Sequence, residues 1–150
     1  MKPLTAIKRM VDNNGISRME ASRRMGRNRC YIGNMLARKS MPSTSIFALI
    51  ANTLGYDVVV EGHGDRFTIS PTDKDEGDAL FANNAFRRMS EHSGVSQRKA
   101  SAAIGRDKNR LSSKIAAGNV PSISLFAMLA DAFGYKVYVT NGEKRICIQP

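Results

Sequence analysis

Apolar positions along the chain recur first with a period of 3.6 and then with a period of 2, and the whole succession then starts again. Ile7, Met10 and Val11 predict a helix over about 4–13 that stops at Asn14-Gly15. Ser17 is placed to cap a second helix running to about Met25, with Glu20 three residues on to complete a capping box. Gly26 ends that helix, and Asn28, a strong N-cap residue, opens a third. Pro42-Ser43 opens a fourth, with an apolar stripe of Ile46, Phe47, Leu49, Ile50 and Leu54. After Gly55 the alternation of Tyr56, Val58 and Val60, the turn "GHGD" and the return through Phe67 and Ile69 predict a β-hairpin.

A shift of 79 lays residues 6–71 on 85–150 without a gap, with 23 of the 66 positions identical. Gly15 meets Gly94, Ser17 meets Ser96, "AS" at 21–22 meets "AS" at 100–101, and "GR" at 26–27 meets 105–106. "PS-S-FA" at 42–48 returns at 121–127, and "GY-V-V" at 55–60 returns at 134–139. The identities fall on turns, caps and core positions, which determine fold. The chain is therefore expected to hold two tandem copies, 1–71 and 85–150, each a four-helix unit with a C-terminal hairpin, joined by a linker over 72–84. Leu80 and Phe81 could extend the first helix of the second copy. In that copy Lys99 replaces the glutamate of the capping box, so half of it remains, and Asp107 takes the place of Asn28.

Charge divides the chain in the same places. The net charge of +10 splits into +6 over 1–71 (11 basic, 5 acidic), +7 over 85–150 (11 basic, 4 acidic) and −3 over "TDKDEGDALFANN", 72–84. Two basic copies flanking an acidic joint favour a polyanionic partner, nucleic acid first. No apolar run approaches the roughly 18 residues of a membrane span. The start of the chain is broken by charges before any signal-peptide core. Cys30 and Cys147 stand far from His63 and His92 with no metal-ligand spacing, a usage that fits free thiols in a reducing cytoplasm.

The succession of helix one, "S-x-x-x-A-S-x-x-x-G" on helix two, a three-residue turn, a short third helix and a Pro-Ser-led fourth resembles the helix-turn-helix domain of the Cro and phage-repressor superfamily (the xenobiotic response element family). The resemblance covers about residues 4–55 and 83–134. It implies a mainly α fold with β-hairpins, two tandem lambda-repressor-like helix-turn-helix domains, and a third helix that enters the DNA major groove while the second braces the backbone. The geometry of the third helix agrees. Ile32 and Leu36, or Leu111 and Ile115, are four apart and face a core, which turns Cys30, Asn34 and Arg38 outward in one copy and Asn109, Ser113 and Ala117 in the other.

The expected base contacts are Arg29, Cys30, Tyr31 and Asn34, with Lys108, Asn109, Arg110 and Ser113 in the second copy. Tyr31 could equally pack on the neighbouring helix, and Cys30 reads as a small groove-facing contact rather than a redox sensor. Expected phosphate contacts are Ser17, Arg18, Arg27, Arg38, Lys39, Ser40 and Ser43, then Ser96, Gln97, Arg106, Asn119 and Ser122. Arg23 and Arg24 become Ala102 and Ala103 in the copy and read as solvated surface.

These residues point to a double-stranded-DNA-binding transcription regulator, a cytoplasmic, nucleoid-associated repressor of phage or mobile-element type. Because the two third-helix faces differ, the expected operator is bipartite and imperfectly symmetric. One molecule would be its own pseudo-dimer, since a 13-residue joint extends to roughly 40 Å and half-sites lie about 34 Å apart. Pairing of the two hairpins edge to edge would make a four-stranded sheet on a pseudo-twofold axis; a homodimer through those edges is the alternative. The rival function is a protein-binding module, antitoxin-like or host-targeting, that grips an acidic protein partner with its hairpins, with or without autoregulatory DNA binding. No paired-carboxylate, metal or nucleophile motif is present, so neither an enzyme nor a cofactor nor a metal is expected. RNA ranks third because exposed aromatics are scarce.

Overall fold

The computed structural model describes residues 1–105 and 113–150. The first copy folds as α1 (Pro3–Asn14), α2 (Arg18–Arg24), α3 (Tyr31–Arg38), α4 (Thr44–Thr53), β1 (Asp57–Gly62) and β2 (Asp65–Ile69). A short strand, β3 (Ala79–Leu80), precedes α5 (Ala82–Ser93), α6 (Gln97–Ala103), α7 (Ile123–Ala132), β4 (Lys136–Thr140) and β5 (Arg145–Ile148). Residues 113–116, between α6 and α7, are also helical. Both ends of α1, α2 and α4 recur 79 residues later in α5, α6 and α7, so the sequence repeat is a repeat of structure.

Local chemistry sets the element ends. Gly15 closes α1 in the left-handed conformation at φ 79°, and Gly94 closes α5 at φ 74°. Ser17 Oγ accepts from the Glu20 backbone N–H at 3.0 Å, but the Glu20 carboxylate turns to Arg24 at 3.2 Å and Arg23 at 3.6 Å. Only half of the expected capping box forms in the first copy, because two guanidiniums compete for the acid. The two-residue turn His63-Gly64, with φ 51° and 71°, is the type I′ geometry that matches strand twist.

The strands make one sheet of order β3-β2-β1-β4-β5. The fold is therefore mixed α/β, about 49% helical with a five-stranded sheet, in place of the expected mainly α class; the two hairpins pair edge to edge as in the expected four-stranded arrangement, and β3 adds a fifth strand. The cause is a free strand edge on each hairpin: β1 and β4 satisfy each other's backbone groups by antiparallel pairing. Val59 pairs with Tyr138, which is its own copy 79 residues on. Ser43 likewise forms a bridge with its copy Ser122, and around it Thr44 N–H donates to Pro121 O (2.9 Å) while Ile123 N–H donates to Pro42 O (3.0 Å). Two self-pairings of equivalent residues define a pseudo-twofold axis through the molecule.

The segment 72–84 is tied down. Residues 79–80 pair parallel with β2, and Phe81 is the N-cap of α5, so Leu80 and Phe81 do not extend the helix. Asp75 Oδ1 accepts from Phe81 N–H (2.8 Å) and from Asn84 (3.0 Å). Ser70 N–H donates to Leu80 O at 2.8 Å, and its copy Gln149 donates to Met1 O, the counterpart of Leu80, also at 2.8 Å. Both outer sheet edges are thus met in the same way.

The helices cover one sheet face, and the core is continuous across both copies. Ile7, Met10, Phe47, Ile50, Val58 and Val60 join Phe86, Met89, Phe126, Leu129, Val137 and Val139 in a single cluster. The second strand of each hairpin packs on the first helix of the other copy, β2 on α5 and β5 on α1. One of these joints is polar: Asp65, buried on β2, accepts from Arg88 at 3.0 and 2.6 Å and from the Tyr135 hydroxyl at 3.3 Å. The Arg88 hydrogen bond holds the Asp65 carboxyl below its usual range despite burial, while burial and then the Asp65 charge push the Tyr135 phenol up to about 12. On the opposite, open sheet face the Arg145 guanidinium lies 3.7 Å from the Tyr138 ring centroid and Arg66 Nε donates to its hydroxyl at 3.3 Å.

Candidate nucleic-acid interface

Ser22 fixes α3 on α2. Fully buried, its hydroxyl donates to Arg18 O (2.8 Å) and accepts from Ile32 N–H (3.0 Å), satisfying one of the first backbone donors of α3. The repeated "AS" pair was the sequence signal for this lock; Ser101 is buried at the equivalent place. Between the helices Gly26 turns the chain at φ 74°, and Arg27 N–H returns to Ser22 O at 3.0 Å. Asn28 caps this turn rather than the α-helix itself, since its Oδ1 accepts from Cys30 N–H at 2.9 Å and α3 begins at Tyr31. Arg29 therefore stands on the turn and Cys30 at the N-cap.

Ile32, Met35 and Leu36 are buried, so α3 has a three-residue inner stripe where the sequence suggested two. Cys30, Asn34 and Arg38 are exposed and share the outer face, and Tyr31 is half-buried beside them. Tyr31 does not choose between its two expected roles: its ring carries the Arg27 guanidinium at 5.3 Å, which restrains both side chains at the edge of the face. Arg18, Arg27, Arg29, Lys39 and Ser40 are exposed around it. From 21 to 56 the chain holds six arginine or lysine residues and no acid. Arg23 and Arg24 are exposed and engaged with Glu20, as surface residues would be.

The α3 face continues into a groove of about 470 Å³ lined by Tyr31, Asn34, Arg38, Ser40 and Met41 over a floor of Met35 and Ile46. Lys114, Ile115, Asn119, Val120, Pro121 and Leu125 line its copy, of about 380 Å³. Five of those six, all but Ile115, are the 79-residue counterparts of residues lining the first. The grooves thus flank the Ser43–Ser122 bridge on the axis. Ser113 and Asn119 are exposed at the second groove's side of the molecule. Arg106, Lys108, Asn109 and Arg110 lie outside the described residues.

The serines divide by role. Ser17, Ser96, Ser43 and Ser122 all accept from a helix N–H, at 3.0, 3.1, 3.2 and 3.1 Å, and each keeps its hydroxyl proton for a further acceptor. Ser17 and Ser96 are exposed at the starts of α2 and α6, next to Arg18 and Gln97. Ser43 and Ser122 are half-buried at the axis, where they also join the copies.

No family model, curated protein or solved structure is significantly similar to the chain. Among the described residues no group of His, Cys, Asp and Glu could hold a metal ion, and no helix is long and apolar enough to cross a membrane. Both cysteines are exposed free thiols.

Sequence reasoning missed Met41, which lines the first groove and is 40% exposed, and the conformation of Lys39, which closes α3 at φ 54°. The signal for the second was available: its copy is Gly118, at φ 88°.

Proposed function

We propose that the chain is a sequence-specific double-stranded-DNA-binding transcription regulator, a repressor, with a tandem helix-turn-helix architecture of the Cro and phage-repressor kind. One observation carries this: an exposed, acid-free α3 surface and its counterpart flank a pseudo-twofold axis that emerges between them at Ser43 and Ser122. Duplex DNA has the same symmetry and the opposite charge. In this role Asn34 and Arg29 read base edges in one half-site, Cys30 permits close approach, and Arg18, Arg27 and Arg38 neutralise phosphates. Ser113 belongs to the reader of the other half-site.

A twofold, unlike a translation, presents the readers to inverted half-sites, and a shared sheet fixes their separation. The outward letters differ, Cys30 and Asn34 against Asn109 and Ser113, so the two half-sites carry different words. Of the hairpin surfaces that the rival protein-binding function would use, the strand edges are taken, because β1 and β4 occupy each other's edges and β3 and Met1 meet the outer ones, while the open sheet face stays free for a partner. The same pairing favours a monomeric pseudo-dimer over a homodimer through hairpin edges.

Selection from random duplex DNA with the purified full chain tests the proposal. Two unlike, inverted half-sites about one helical turn apart are expected, with affinity falling steeply with salt. A perfect palindrome as the best ligand would refute the two-reader model. Absence of salt-sensitive retardation of any duplex, with a protein co-purifying in stoichiometric amount, would replace DNA binding by the rival function.

A further inference from the structure

The turn that closes α3 has two features that contacts within the major groove do not require. Lys39 holds the left-handed conformation, φ 54°, where its copy has glycine at φ 88°. This conformation is disfavoured for residues with a Cβ, so a lysine there is kept against a local preference for glycine. Two residues on, Met41 is one of two large apolar side chains exposed among the described residues, the other being Met19 on α2. Met41 immediately precedes Pro42, whose carbonyl accepts from Ile123 across the axis at 3.0 Å. Val120, its copy, stands half-buried on the other side. An exposed charge and an exposed thioether thus stand two residues apart on the axis side of α3, and the thioether lines the same groove as Asn34 and Arg38.

When two axis-related helices occupy successive major grooves on one side of B-form DNA, the minor groove faces the protein at the axis between them. We propose that the 39–41 turn, with its counterpart 118–120, engages this central minor groove: Met41 wedges against the central base step and Lys39 neutralises the phosphates that flank it. This rests on the DNA-binding function proposed above. A methionine against a base step partly unstacks it and kinks the duplex toward the major groove. The operator centre would then be selected for deformability, a pyrimidine–purine step over a stiff A-tract, although no hydrogen bond reads it. Gly118 and Val120 supply neither the charge nor the length, so the wedge acts from the first copy.

The test uses the full chain and its selected operator in two forms, one with a central TA step and one with a central A-tract. End-to-end energy transfer on the labelled duplex reports bending, and titration reports affinity. The wild type is expected to bend the TA form by about 20–90° and to prefer it by about tenfold. Met41→Ala should lose both the bend and the preference while keeping its half-site specificity, and Met41→Leu should restore them. Lys39→Gly should weaken both forms alike without lowering the thermal midpoint of the free protein. Tight, half-site-specific binding with a straight duplex and no preference at the centre would overturn the wedge and leave the DNA-binding function standing. No retardation of either duplex at low salt would overturn both.

Discussion

Replacing Asp65 by alanine removes the buried carboxylate that ties β2 of the first copy to α5 of the second. Its carboxylate is 8% exposed, takes two bonds from Arg88 and one from the Tyr135 hydroxyl, and lies 4.0 Å from His92 Nε2. Breaking a fully buried pair costs about 3–5 kcal/mol, mostly because the surviving charge is stranded. Here the surviving guanidinium is 36% exposed, so water can take over part of the lost solvation. Tyr135 stays buried with its hydroxyl unpaired, which pulls the other way. A net loss of about 2–3 kcal/mol follows, or roughly 4–12 °C in Tm for a domain of this size.

The pH dependence gives an independent check. The folded-state pKa of Asp65 is depressed by Arg88, so its contribution is complete above the unfolded value, near 4, and is lost as pH falls through the folded value. The difference in urea-unfolding free energy between wild type and Asp65→Asn should be flat from about pH 5 to 8 and shrink below about pH 4. The counterpart joint provides the control: Lys144 reaches Asn13 at 3.4 Å on the exposed surface, and Lys144→Ala should leave the midpoint unchanged. A loss below about 0.5 kcal/mol for Asp65→Ala, or a difference that persists undiminished at pH 2.5, would show that the joint is held by its apolar contacts alone.

Three other outcomes follow from the geometry. Arg27→Ala should weaken binding to all duplexes alike and reduce the slope of log affinity against log salt by about one, read by titration at four salt concentrations. Asn34→Ala should relax selection at one position of one half-site, costing about 1–3 kcal/mol there in competition binding. Gly62→Ala would put a Cβ 2.6 Å from Gly134 O and 2.9 Å from Tyr135 Cα, a backbone clash between the copies that should cost about 1–3 kcal/mol by urea unfolding.

Much of this fold could be read from residues, and the limits are instructive. The helices were legible because caps and glycines punctuate them at both ends: Ser17, Ser43, Ser96 and Ser122 do cap, and Gly15, Gly26 and Gly94 do turn left-handed. The outer face of α3 was legible because a 3.6 period with Ile32 and Leu36 inside leaves Cys30, Asn34 and Arg38 outside. β3 was not, because two residues of parallel strand carry no alternation, and their acidic surroundings suggested a free linker. Lys39 gave no sign of its left-handed turn, since lysine is chosen there against local preference; only comparison with Gly118 exposes it. The packing of each second strand on the other copy's first helix was hidden for another reason. Asp65 and Arg88 meet across a fold that no local pattern encodes.

Under the proposed function, that cross-packing would let one chain hold two different readers without losing its symmetry axis. In a homodimer every residue on the axis meets itself and every joint occurs twice, so a useful change at one joint is forced on the other. Here Val59 faces Tyr138, a pairing of unlike residues at a position that a homodimer would make identical. The joint made by Asp65, Arg88 and His92 is ionic, while the equivalent one, made by Lys144, Arg9 and Asn13, is bridged between the copies by a hydrogen bond from Lys144 to Asn13. Freed from self-complementarity, the surface beside the axis can diverge as well, and it has done so at 39–41, where Lys, Ser and Met stand opposite Gly, Asn and Val. The framework residues stayed the same because both copies need them; the outward residues separated because each copy now meets its surroundings alone.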